Sequence, residues 1–169
     1  MSKRALKKYV SEVPKKELAK QVIDLYERFP AVKKYYDFVF NPREEDMVQE
    51  AKAKIRNEYF PLRRKKPRAR RSVAQRYMKQ FRTLEMEPSW IAELMVFNLE
   101  TAQAFEEGRR LPEAFYRSML NSFSELVTYV SLNRLLPEYK DRILSIYQTV
   151  QQREWMNAGL FSNALDVLD

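Results

Sequence analysis

The chain has 169 residues, 45% of them apolar and 13% aromatic, with a net charge of +8. This length suits one domain, and this apolar content supports a packed core, which excludes disorder over most of the chain. Cysteine and histidine are both absent, which excludes disulfides, thiol chemistry and histidine-based acid/base or metal chemistry.

Prolines and capping residues cut the chain into helix-sized blocks. Ser2 caps a short helix carrying Leu6, Tyr9 and Val10. Pro14 opens a second, with Leu18, Val22, Leu25, Tyr26 and Phe29 on one face. Pro30 opens a third, with Val32, Tyr35, Tyr36, Val39 and Phe40. Asn41-Pro42 reads as the cap and first residue of a fourth, whose early acids Glu44, Glu45 and Asp46 suit the helix dipole. Its expected buried stripe is Met47, Val48, Ala51, Ile55 and Tyr59. The pattern then breaks and resumes near Arg70–Ser72 with Val73, Tyr77, Phe81 and Leu84. Pro88-Ser89 starts a helix that is apolar around much of its circumference, so it belongs at the centre, and Gly108 ends it. Helices beginning at Pro112 and Pro137 follow, and a last amphipathic stretch holds Leu160, Phe161, Leu165, Val167 and Leu168.

The expected fold is all-α: an irregular bundle or array of eight to nine antiparallel helices, with no sheet. Only two glycines, Gly108 and Gly159, are available for turns that need positive φ, which disfavours hairpin-rich β structure. The expected organisation is a single domain over 1–169. A basic loop at 61–71 would separate an N-terminal four-helix part from a C-terminal part of four to five helices.

The opening SKRALKKYVSEVPKKELAKQVIDLYERFPAVKKYYDFVFNP resembles the start of a family of uncharacterised, all-helical bacterial proteins catalogued as a domain of unknown function. The later NEYFP, the basic run leading into RSVAQ, and EAFYRSM are similar to it as well. The resemblance covers most of the chain. It implies a helical fold and a bacterial cytoplasmic setting, and brings no activity or site residues with it.

The remaining residue types leave little catalytic chemistry. Two isolated glycines cannot build a phosphate-cradling loop. No catalytic constellation, metal set or cofactor motif stands out, so the protein is expected not to be an enzyme. Glu93, Glu100 and Glu107 recur every seven residues and would line one stripe of the central helix. A magnesium site or acid/base pair is one reading, and the solvated outer face of the helix is the expected one. Tyr35 and Tyr36 share a face with Val32 and Val39, so they are expected to pack in the core, while Phe38 falls off that face. Asn98, on the apolar side of its helix, is expected to be a satisfied buried amide.

The outward-pointing feature is PLRRKKPRARRS, residues 61–72. It contains Arg63, Arg64, Lys65, Lys66, Arg68, Arg70 and Arg71 and no acid. Without these seven residues the chain has 24 basic against 23 acidic residues, so the excess charge is concentrated here. Pro61 and Pro67 keep the segment extended, arginine contacts phosphate bidentately, and Tyr59, Phe60 and Tyr77 flank the run as stacking surfaces wherever they are exposed. The expected function is non-enzymatic nucleic-acid binding through these seven residues, with RNA slightly favoured over DNA. The alternative is a protein–protein adaptor that uses a helical groove or an acidic partner. A solvated loop is the plain reading of any such charge run. No apolar run approaches the ~18–20 residues of a membrane helix, and the N-terminal MSKRALKKYV lacks the apolar region of a secretory signal. A cytoplasmic location without membrane insertion is expected.

Overall fold

The computed structural model describes residues 2–63 and 66–166. Val167 and Leu168, expected on the terminal stripe, lie outside the described residues. Nine helices and no strand are found among the described residues, so the fold is all-α. Contacts divide the chain into two compact units, Met1–Arg43 and Glu44–Asp169.

The first unit holds α1 (Lys3–Glu12), α2 (Lys15–Arg28) and α3 (Pro30–Phe40). Ser2 caps α1 as expected, its Oγ accepting the Ala5 N–H at 3.2 Å. Pro30 is the first residue of α3, and its neighbour Phe29 alone joins α2 to α3. So short a connection folds the two helices back on each other. Tyr26 Oη donates to Asp37 Oδ1 at 2.7 Å across the pair. Gln21 Nε2 donates to Tyr9 Oη and ties α1 to α2. None of the residues of α1, α2 or α3 is fully buried. The expected burial of the α3 aromatic face fails: Tyr35, Val39 and Phe40 are exposed, and Phe38, off that face, is half-buried. Periodicity marks a face that can be buried, and these three helices do not enclose it.

The second unit contains α4 (Glu44–Tyr59), α5 (Arg71–Thr83), α6 (Pro88–Glu106), α7 (Glu113–Leu132), α8 (Leu136–Gln152) and α9 (Ala158–Leu165). Helix α6 lies at its centre, in contact with α4, α5, α7 and α8. Twelve of its nineteen residues are buried, which explains its apolar character on nearly every side. The division of the chain falls at Arg43/Glu44, whereas the basic segment lies inside the second unit between α4 and α5. Helix α4 belongs to this unit because Val48, Ala51, Ile55 and Tyr59 are almost wholly excluded from water in its core. Its start also differs from the sequence expectation. Asn41 donates its N–H to Asp37 O and closes α3, and α4 begins only at Glu44.

Helix α9 closes the core. Phe161 is fully buried, 5.0 Å from the Phe123 ring of α7, and the buried Trp155 lies edge-on 6.0 Å from Phe161. Asn98 is buried as expected, with Oδ1 accepting from Tyr59 Oη.

The tight turns are built largely without glycine. Glu85, Arg134 and Glu154 take positive φ just after α5, α7 and α8. In each case that residue and the next donate back to the last helical turn: Glu85 to Arg82 and Met86 to Phe81, Arg134 to Ser131 and Leu135 to Val130, Glu154 to Gln151 and Trp155 to Val150. These paired bonds form Schellman closures, in which the following apolar residue folds back on the helix. Burial of Met86 and Trp155 offsets the left-handed strain of about 1–3 kcal/mol. Gly108, with φ +67°, follows the extended Glu107 in a β-turn after α6, closed by the Arg109 N–H donating to Glu106 O.

Candidate nucleic-acid interface

The basic segment is a loop whose ends converge on Glu58. As the chain leaves α4, Phe60 N–H donates to Arg56 O at 2.7 Å and Asn57 Oδ1 accepts the Leu62 N–H at 3.2 Å. The chain returns over residues 68–70. The Arg68 and Ala69 amides both donate to Glu58 O at 3.0 Å. The Arg70 guanidinium then grips the Glu58 carboxylate through Nε at 2.9 Å and Nη2 at 3.1 Å. Glu58 therefore anchors the loop with both its carbonyl and its side chain. Ala69, whose N–H reaches that carbonyl, holds φ at 47°, a left-handed conformation.

This closure divides the seven basic residues predicted as the site. Arg63, Lys66 and Arg68 are exposed, and Leu62 beside them is 94% exposed, so this part of the loop stands out in water. Arg70 is exposed but holds Glu58, and that pairing raises its already high pKa. Arg71 turns the other way: Nε donates to Ser122 Oγ at 2.8 Å and Nη2 to Glu125 Oε1 at 2.5 Å, joining α5 to α7. Arg64 and Lys65 lie outside the described residues.

The flanking aromatics divide as well. Tyr59 is 1% exposed and packs against Phe105, so it cannot stack on a base. Burial, reinforced by Glu58 and partly offset by Arg71, pushes its hydroxyl pKa up to about 12. Phe60 keeps a partly open ring, edge-on to Phe105. Tyr77 is half-buried beneath the Arg76 guanidinium, 5.5 Å from the ring centre. At the foot of the loop lies a hollow of ≈ 320 Å³ lined by Lys54, Asn57, Glu58, Arg70, Ser72 and Arg76, together with Val73. Helix α5 begins in it with Arg70 as an N-cap that makes no side-chain capping bond.

A family model described as a family of unknown function, DUF6155, matches residues 1–169. The chain belongs to that family. Searches of curated proteins and of solved structures find no match. The chemistry of this DUF6155 chain therefore has to be read from its own side chains.

The glutamate stripe of α6 is the expected solvated face only in part: Glu107 is 73% exposed, whereas Glu93 is largely withdrawn from water. Glu93 accepts from Lys52 Nζ of α4 at 2.6 Å and from Arg142 Nη1 of α8. Arg142 also grips Glu100 through Nε at 3.0 Å and Nη2 at 2.8 Å. One heptad on, Glu107 lies 3.7 Å from Arg153, which also bonds Glu106 at 3.0 Å. The stripe is thus an ion-pair seam that locks α8 and α4 onto α6. Burial opposes the charge on Glu93, but the hydrogen bonds and charges of Lys52 and Arg142 outweigh it and hold the carboxyl below its usual value. No cluster of three metal-binding side chains occurs among the described residues. No described helix is long and apolar enough to cross a membrane.

Proposed function

We propose that this protein is a non-enzymatic, cytoplasmic nucleic-acid-binding protein that engages the phosphate backbone through the loop between α4 and α5. The observation that carries this reading is the division of labour around Glu58. Arg70 and the Arg68 and Ala69 amides tie the loop down, which leaves Arg63, Lys66 and Arg68 in water with no acidic partner among the described residues. Like charges held together this way repel each other, and a polyanion relieves that repulsion. Lys54, Arg76 and the Ser72 hydroxyl, at the foot of the loop, extend the same surface and suit a second phosphate. Base stacking is left to Phe60 and Tyr77, so the preference for RNA over DNA loses the support of Tyr59.

The test is binding to labelled single-stranded RNA and to duplex DNA across a salt series. The native protein is compared with a variant carrying Arg63→Gln, Lys66→Gln and Arg68→Gln, which spares Arg70 and Arg71. Each lost phosphate contact lowers the log–log salt slope by about 0.9 on duplex DNA and about 0.7 on single strands. A slope smaller by about 2–3 in the variant supports the reading. Equal affinity and equal slope for the two proteins overturn it.

A second reading, protein–protein interaction, is favoured by a separate observation. Between α2 and α3 the first unit has an apolar groove of ≈ 550 Å³ lined by Val22, Ile23, Tyr26, Tyr36, Asp37, Phe40 and Asn41. Apolar surface concentrated on one face is a mark of an interaction site.

A further inference from the structure

The first unit exposes much more apolar surface than its size requires. Of the fourteen large apolar side chains exposed among the described residues, nine lie before residue 41, in about a quarter of the chain. They come from all three helices: Leu6, Tyr9 and Val10 of α1, Ile23 and Leu25 of α2, Phe29 at the turn, and Tyr35, Val39 and Phe40 of α3. The same 43 residues hold eleven basic and five acidic residues. The unit is thus strongly basic, has no buried residue in its helices and carries an open apolar groove.

We infer that the groove between α2 and α3 receives an acidic amphipathic helix from a partner protein. This rests on the interaction reading and does not depend on the basic loop. Three observations choose that occupant. The groove walls repeat at one-turn spacing, with Val22, Ile23 and Tyr26 on one helix and Tyr36 and Phe40 on the other. A channel between two helices takes a third helix whose apolar side chains fall at i, i+3 or i+4, and i+7. Phe40, 81% exposed and stacked on Tyr36 at 6.1 Å, is a ready anchor for such a side chain row. The charge then sets the partner's sign. Lys33 stands over the ring of Tyr26, one of the groove residues, 5.8 Å from its centre. A second copy of the chain would set one basic excess against another, whereas an acidic helix complements it. An anionic bilayer would meet convex helix faces and leave a concave groove unfilled.

The experiment is a selection of displayed helical peptides, randomised at their surface positions, on the full-length protein. Enriched sequences are expected to be acidic, with Leu, Ile, Phe or Trp at i, i+3 or i+4, and i+7. The best peptide is then titrated by fluorescence anisotropy. Phe40→Ser and Ile23→Ser, both at exposed positions, should each weaken it at least tenfold with unchanged circular dichroism. Lys33→Glu should weaken it several-fold. The Arg63, Lys66, Arg68 variant should bind it as the native protein does, which keeps this result separate from that of the nucleic-acid reading. Four results overturn the inference: no enrichment or basic winners, binding that survives Phe40→Ser and Ile23→Ser, binding lost with the loop variant, or a groove filled otherwise. The last would appear as self-association in sedimentation velocity, or as co-sedimentation with vesicles containing about a third phosphatidylserine, abolished in either case by Phe40→Ser.

Discussion

Replacing Arg142 by methionine removes the clamp between α8 and α6 while keeping the apolar length of the side chain. Its guanidinium makes three hydrogen bonds to two carboxylates, Glu93 and Glu100. The two halves of the clamp differ in worth. The Glu100 side chain is 41% exposed, so that pair resembles a surface ion pair and contributes at most about 1 kcal/mol. The Glu93 side chain is 21% exposed, and losing a partner there leaves a partly desolvated charge. Removing one partner of a buried pair costs about 3–5 kcal/mol, but Lys52 still holds Glu93, which brings this half down to about 1–2 kcal/mol. The variant should therefore be less stable by about 2 kcal/mol. For a unit of this size that is a fall in Tm of about 8 °C, measured by thermal unfolding at pH 7. The effect carries a pH signature. Glu93 has its carboxyl held below the usual value in the folded state, so its stabilisation is present above the unfolded value of about 4.3 and is lost as pH falls through the folded value. The gap between native and variant should be widest near neutrality and should close on acidification below about pH 4. A gap under 1 °C at pH 7, or one that persists unchanged in acid, would refute the clamp.

Phe161→Ala should destabilise the protein by about 3–5 kcal/mol in denaturant unfolding, because the ring is fully buried against Phe123. A loss below 1 kcal/mol would mean that α9 does not close the core. Glu58→Gln weakens the grip of Arg70 while leaving the backbone bonds to Glu58 O, so limited trypsin digestion within residues 61–71 should speed up several-fold. A native rate of cleavage would show that the carboxylate does not hold the loop. Tyr59 is pushed up to about 12, so the stability tied to its neutral form is complete below pH 10 and lost as pH rises toward 12. Ultraviolet titration of native protein against Tyr59→Phe should show one phenol fewer ionising in that range. Ionisation of that phenol near pH 10 would contradict its burial.

Local structure was largely legible in the sequence. Ser2 as a cap, Pro30 and Pro88 as first helical residues, and Gly108 past the end of α6 all stand where their chemistry placed them. These signals act within one or two helical turns, so a single chain read in order contains them. The Schellman turns at Glu85, Arg134 and Glu154 left no such mark, because an apolar residue just beyond the turn holds each of them and glycine is not needed.

The candidate site was legible as a place and not as a set of roles. Seven basic residues within nine positions look alike until the fold turns Arg71 toward Glu125 and hands Arg70 to Glu58. Tyr59 stood both on the expected buried stripe of α4 and beside the basic run, and the packing of α4 against α6 made it core. Sequence alone determined that the chain is helical, where its helices lie to within a residue or two, and that its charge excess is concentrated between α4 and α5. Tertiary structure decided which charges are already neutralised and which faces remain open. Glu93 and Glu100 of α6 could have faced water, and Arg142 of α8 claimed them. The apolar stripes of α2 and α3 could have been a core, and no residue of those helices is buried. The reason is the same in both cases: periodicity states what a helix face can bury or pair, and only a neighbour brought from elsewhere in the chain decides whether it does.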